Sequence, residues 1–245
     1  MFQDAVRDQD LTLSKPGTNA ADCSRELFSR YSFAFAQQIH YLANPKQPGP
    51  IYFKTPRKCG VFGVMAEALP QMALFLLDEA VETGKGDNTV ISFIDFFFTN
   101  MGLKESECHL HVDNCVGQNK NNAMLQYLLW RVMTERHRKI TLSFLVARHT
   151  KFSPDWCFGM LKKCFRRSKV DCLDDIVQVA KNSSTAGIIT PQLCGTEDGN
   201  VIVPTRDWTG FLDTWFRKLV GLKRYQHFEF YASGEVHVQL SCSAE

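Results

Sequence analysis

The sequence predicts an α/β protein built on a mixed five-stranded sheet, three antiparallel strands followed by two parallel ones, flanked by helices and followed by a helix-plus-hairpin extension. Three observations carry this expectation. Three apolar segments with strand-like patterning precede residue 80. Helical spacing takes over after Gly84-Lys85-Gly86-Asp87. Strand and helix patterns then alternate twice, and parallel strands require such crossovers.

The elements follow in order. Residues 1–28 are polar and without period, so a loose lead is expected there, with the main domain over 29–170 and the extension over 171–245. Tyr31–Tyr41 partly alternates and reads as the first strand. A connection holding four of the nine prolines follows. Cys59–Leu69 and Met72–Asp78 read as two more strands joined by a Leu-Pro turn. Val90, Ile91, Phe93, Ile94, Phe97, Phe98 and Met101 keep helical spacing, with Asp87 or Asn88 as cap and Gly102 at the end. The Phe96-Phe97-Phe98 run is assigned to the core rather than to base stacking.

Cys108–Val112 is a short strand ending at Asp113-Asn114. A crowded apolar helix is expected from about Asn122 to His137, then a strand over Ile140–Ala147. Ser153 as cap and Pro154 in the first turn open a helix to about Ser168. This is the element order of ribonuclease H-like folds. Beyond it come an amphipathic helix marked by Leu173, Ile176, Val177 and Ala180, and a stronger one from Trp208 to Val220. A hairpin turns around Ala232-Ser233-Gly234. Lys218, Lys223 and Arg224 near that hairpin suggest a winged-helix alternative, which the core-packing character of Trp208–Val220 disfavours.

Composition narrows the classes of function. With 44% hydrophobic and 22% charged residues the chain is an ordinary globular protein, not a disordered or fibrous one. No run approaches the roughly 18 apolar residues of a membrane span, and the start lacks a basic end followed by an apolar stretch. A nuclear or cytoplasmic location without membrane association is therefore expected. Nine widely spaced cysteines without a CxxC pair are read as reduced and mostly buried. Net charge is +2, yet residues 101–170 hold 13 Lys/Arg against 5 Asp/Glu. This regional excess peaks in RHRK (136–139) and KKCFRRSK (162–169), either of which can meet phosphates.

In the expected order, the middle of the first strand, the exit of the fourth and the start of the helix after the fifth converge at one end of the sheet. Asp113 stands at the second place and Asp155 at the third. Paired carboxylates there suit Mg²⁺ or Mn²⁺, hard ions that prefer oxygen, and phosphoryl-transfer chemistry. Each has an ordinary alternative, Asp113 as a turn residue and Asp155 as a helix-dipole partner. Gly159, Lys162 and Arg166 follow Asp155 on one helix face, and Lys163 and Arg167 add to the charge, so a phosphate backbone could run past the acids. His149 is a candidate for proton transfer or for anchoring its loop. Gln118, Asn119, Lys120 and Asn121 suit a phosphate or base edge, or a capping turn.

The strings HVDNCVGQNKNNAMLQYLLWRV (111–132), HTKFSPDWCFGMLKKCFRR (149–167) and QPGPIYFKTPRKCGVFGV (47–64) resemble a family of transposon-derived proteins. Their shared domain is similar to the ribonuclease H-like core of DDE/DDD transposases and integrases. The resemblance spans roughly residues 30–230. It implies that Asp113 is the second metal carboxylate and Asp155 the third, with His149 in the accompanying His-Thr motif. It further implies DNA as partner and Mg²⁺ or Mn²⁺ as cofactor in an active member. One departure stands out: where the family's first strand carries an acid, Ser32–Gln38 reads SFAFAQQ, so Ala34 occupies the place of the first acid. A methyl group cannot coordinate a metal, and Asp95 or Glu67 would have to substitute. The resulting expectation is a catalytically impaired domain that retains nucleic-acid binding. Its rivals are an active metal-dependent nuclease or strand-transferase with a substitute acid, and a domesticated interaction scaffold.

Overall fold

A computed structural model describes residues 20–41, 56–81, 84–145 and 152–240. Its strands are β1 (Arg25–Phe35), β2 (Ile39–His40), β3 (Lys58–Ala66), β4 (Gln71–Asp78), β5 (Glu105–Val112), β6 (Lys139–Phe144), β7 (Ile189–Leu193), β8 (His227–Tyr231) and β9 (Val236–Gln239). The helices are α1 (Asp87–Asn100), α2 (Asn122–Met133), α3 (Ser153–Phe165), α4 (Leu173–Asn182) and α5 (Trp208–Asp213).

The strands form one mixed sheet in the order β7-β4-β3-β1-β5-β6-β8-β9, with β2 paired to β3. The three-strand meander is present as β1-β3-β4, antiparallel throughout, and β1, β5 and β6 run parallel. The sheet is wider than the five strands expected. β7 joins β4 in parallel, and the C-terminal hairpin continues the sheet at its other edge through β6 and β8. The winged-helix alternative is thereby overturned, because the hairpin is a pair of sheet strands.

β1 begins at Arg25, six residues before Tyr31 and inside the expected lead. Its start hid it from periodicity, since Arg25, Glu26 and Arg30 break any apolar alternation and Arg25 and Phe28 pair with Glu105 and Glu107 across a bulge. The first strand also breaks after Phe35, and Ile39–His40 resumes against Cys59 and Lys58.

Alternation sorts the strands into two faces. Tyr31, Phe33, Phe62, Phe75, Leu110, Leu142 and Phe228 point to the face covered by α1, α2 and α5, where one apolar core runs nearly the width of the sheet. Phe97 and Phe98 belong to it, as expected, with Phe96 packed at its margin. Val61, Met65, Met72 and Leu74 point the other way, against Cys157, Leu161, Ile176 and Ala180 of α3 and α4. Each fully buried side chain of this size contributes about 1.5–3 kcal/mol.

α5 ends at Asp213 rather than near Val220. Trp208 and Leu212 are buried, and Trp208 Nε1 donates to Ser92 Oγ at 3.1 Å. Beyond Asp213 the chain is drawn onto α2, where Leu219 N donates to Asn122 Oδ1 at 2.7 Å and Gln126 Nε2 to the Phe216 carbonyl at 3.2 Å. Trp215 and Val220 are left exposed. Among the described residues no helix is long and apolar enough to cross a membrane, and eight cysteines are free, Cys59, Cys108, Cys157 and Cys194 of them buried.

Candidate active site

β1 and β5 set the first two positions. Their parallel register pairs Phe33 with Val112, and the next step along both strands brings Ala34 beside Asp113. Both lie on the α3 side of the sheet, because Phe33 and Val112 point into the opposite core.

The loop after β5 locks itself. Asp113 Oδ1 accepts from Cys115 N at 3.1 Å and from Asn119 Nδ2 at 2.5 Å. Asn114 Nδ2 donates to the Leu145 carbonyl beyond β6, and its Oδ1 accepts from Lys120 Nζ at 3.0 Å. Asn121 caps α2 by accepting from Met124 N at 2.9 Å. Asn119 and Lys120 are buried, 2% and 3% exposed, so the polar turn is a clasp between β5, β6 and α2. Lys120 is thus removed from the phosphate-binding candidates. Its ammonium lies over the Phe144 ring, 4.9 Å from the centroid, and burial pushes its pKa down.

The third position depends on how closely α3 approaches. Gly63 pairs with Ala34, and a Cβ there would come within 2.9 Å of the Phe158 ring and 2.8 Å of Met72 Sδ. The missing side chain lets α3 settle against the strand. Ser153 is not the helix cap. The cap position is Phe152, and the Ser153 hydroxyl donates to Glu67 Oε2 at 2.7 Å while the buried Ser32 hydroxyl donates to Glu67 Oε1. Glu67 therefore pins the start of α3 to β1 and β3.

Asp155, in the first turn of α3, is exposed, and its pKa is raised, first by partial burial and then by the charge of Asp113. The two carboxylates are thus near enough for the charge of one to disfavour ionisation of the other. Gly159, Lys162 and Arg166 continue on the exposed face, with Lys162 Nζ donating to Gln37 Oε1 at 2.9 Å, and Lys163 and Arg167 are exposed beside them. Trp156 is 54% exposed next to Asp155. Sequence periodicity could have flagged it, as an aromatic residue off the buried stripe of Pro154, Cys157 and Leu161.

Other candidates fall elsewhere. Asp95 lies on the opposite side of the sheet, accepting from Tyr127 and Arg131, both at 3.0 Å, so it cannot reach Asp113. The charges of the RHRK run are paired: Arg136 with Asp22, Arg138 with Glu26 and Lys139 with Glu229, while the buried His137 is a neutral hydrogen-bond partner of Glu105. These partners are distant in sequence, which hid the cancellation. His149 lies outside the described residues.

Glu105, Cys108 and His137 gather their ligand atoms within 4.8 Å of one another, all buried. Arg131 Nε donates to His137 Nδ1 at 3.3 Å, so the ring hydrogen sits on Nε2 and points to Glu105 Oε1 at 3.5 Å. That nitrogen acts as a donor, and with a guanidinium beside it the cluster is a hydrogen-bonded core network rather than a cation site.

Fold and site together define a mixed α/β protein with one carboxylate at the exit of a central parallel strand, a second at the start of a helix near enough to feel its charge, and an exposed basic stripe along that helix. The model of a family described as "Domain of unknown function (DUF7869)" matches residues 54–244, and the chain belongs to that family. No curated protein and no solved structure matches it.

Proposed function

We propose that the protein is a transposase-derived ribonuclease H-like domain that has lost its first metal-binding acid at Ala34 and retains nucleic-acid binding through the exposed face of α3. The observation that carries this reading is the juxtaposition of Ala34, Asp113 and Asp155 at one end of the β4-β3-β1-β5-β6 strand order.

The donor set does not fit a pair of divalent cations. Two carboxylates face a potential charge of +4, the third place is a methyl group, and Asp113 Oδ1 already accepts two hydrogen bonds. Glu67, the remaining substitute, has one oxygen on Ser32 and the other on Ser153. Catalysis is accordingly lost and binding remains. Lys162, Lys163, Arg166 and Arg167 supply phosphate contacts, and Trp156 offers a face for an unpaired base. A nuclear or cytoplasmic location goes with this role.

The test is duplex binding across a salt series, with a cleavage assay in Mn²⁺. Affinity is expected to fall with salt at a log-log slope of about −0.9 per phosphate neutralised, and Lys162→Gln with Arg166→Gln to flatten that slope by about 2. Arg138→Gln, whose charge is already paired with Glu26, serves as the control that leaves the slope unchanged. No cleavage is expected. Absence of binding at low salt would favour an interaction scaffold, and robust cleavage would favour an active enzyme.

A further inference from the structure

Lys223 and Arg224 carry charge that no acid answers among the described residues, whereas Lys218, close by in sequence, is paired with Asp213 at 2.8 Å. The chain reaches them through a turn at Gly221, whose φ of +76° is a conformation that glycine adopts without strain. The turn buries Leu222 and leaves Lys223 and Arg224 exposed.

This turn forms one wall of a cleft of about 440 Å³ beside the start of α2. The other wall is 116–122, part of the loop that leaves Asp113 and runs into α2. Leu219 N, donating to Asn122 Oδ1, ties the two walls together. Val116, Leu219 and Leu222 supply the apolar lining and Lys120, Lys223 and Arg224 the charged part, with no Asp or Glu among the lining residues. The volume is that of a small-ligand cleft, more than a bare ion needs.

Lys120 makes the imbalance costly. It is 3% exposed, yet its ammonium has only neutral partners, Asn114 Oδ1 at 3.0 Å and the Phe144 ring. A buried cation without a counter-charge costs free energy, and an anion in the adjoining cleft offsets that cost. The donors at the mouth suit one anion in particular, because an ammonium beside a planar guanidinium fork matches the several oxygens of a phosphate.

We propose that this cleft binds phosphate, with Lys223 and Arg224 contacting its oxygens while Lys120, held by Asn114 and Phe144, adds charge from within the wall without touching it. The phosphate belongs to a nucleic-acid strand, and this half of the proposal rests on the function proposed above. α2 packs on one face of the sheet and α3 on the other, so the loop after Asp113 separates the cleft from the basic face of α3. A strand that crosses this end of the sheet meets both, and the sugar next to the bound phosphate takes the apolar lining.

Two probes separate the cleft from the source of its phosphate. Inorganic phosphate is titrated into the full chain while amide NMR signals are followed, with chloride at matched ionic strength as the reference. Saturable shifts are expected at Lys120, Gly221 and Lys223. They should vanish in the Lys223→Gln, Arg224→Gln double variant, whose exposed positions leave the fold intact, and persist in the Lys162→Gln, Arg166→Gln variant. In the second arm, duplex DNA binding is measured across a salt series. At about −0.9 per phosphate neutralised, the Lys223 and Arg224 substitutions should flatten the log-log slope by about 2, and by about 4 when combined with those at Lys162 and Arg166. Absence of saturable phosphate shifts would overturn the cleft as a site. Shifts with an unchanged slope would overturn the nucleic-acid assignment in favour of a free phosphorylated small molecule. A slope flattened by the Lys223 and Arg224 substitutions but not by those on α3 would support the cleft and count against the α3 interface alone.

Discussion

The two ends of the β5–β6 pair hold the same kinds of side chain in opposite arrangements. Where these strands begin, Asp22 meets Lys104 at 2.7 Å, Arg136 at 3.2 Å and Arg131 at 3.7 Å, and Arg131 also reaches Asp95 and His137. Burial works against the charge of Asp22, but Lys104, Arg131 and Arg136 outweigh it and hold the carboxyl below its usual value. Where the strands end, Asp113 lies near enough to Asp155 of α3 to raise its pKa, and among the described residues neither forms an ion pair. Charges matched by partners stabilise a fold. Like charges brought together destabilise it and mark a place where a ligand or solvent must supply the balance.

The largest effect expected from this contrast lies at the paired end. Arg131→Leu leaves Asp95, Tyr127 and His137 without their buried donor, and should lower the unfolding free energy by about 3–5 kcal/mol in urea titrations. A loss below about 1 kcal/mol would mean that this end is not a structural clamp. At the open end, Trp156→Ala should leave stability nearly unchanged and weaken single-stranded DNA binding by about 1–3 kcal/mol. Unchanged affinity would remove the aromatic residue from the interface.

The smallest effects are in pH, and they have opposite signs. Asp22 is lowered in the fold, so its contribution is fully present above the usual value of 3.8 and is lost as pH falls through the lowered one. Asp155 is raised, so its ionisation costs stability as pH climbs from 3.8 through the raised value. Unfolding followed in the acid range should therefore show Asp22→Asn reducing the acid sensitivity of the fold and Asp155→Asn increasing the slope with which stability rises with pH. Shifts in the same direction would erase the distinction between the two ends.

The sequence made the central order of strands and helices legible because it is written in periodicity. The meander, α1, α2, α3 and the hairpin each carry a period and a turn signal. β1's first residues escaped because a strand edge paired with polar neighbours has no apolar alternation. The end of α5 escaped because Asn122 and Gln126, nearly a hundred residues away, capture the backbone that would have continued the helix. The position of Asp113 after a strand and of Asp155 in the first turn of a helix was readable from element order, and the exposed α3 stripe from helical spacing. Lys120 was not, since its burial depends on Asn114 and Phe144 closing over it. The cleft beside α2 was hidden for the same reason: its walls, 116–122 and 219–224, meet only through the tertiary fold.

The central claim is that Ala34 stands where a third ligand belongs. Calorimetric titration with Mn²⁺ of the unmodified protein, Ala34→Asp and Ala34→Asn tests it most directly. Ala34→Asn reproduces the size of the new side chain without its charge. A carboxylate at position 34 adds a ligand and relieves the unbalanced pair only when a cation binds, so the account predicts weak or negligible binding by the unmodified protein and Ala34→Asn, and clear binding by Ala34→Asp. Equal, negligible binding by all three folded proteins would contradict it.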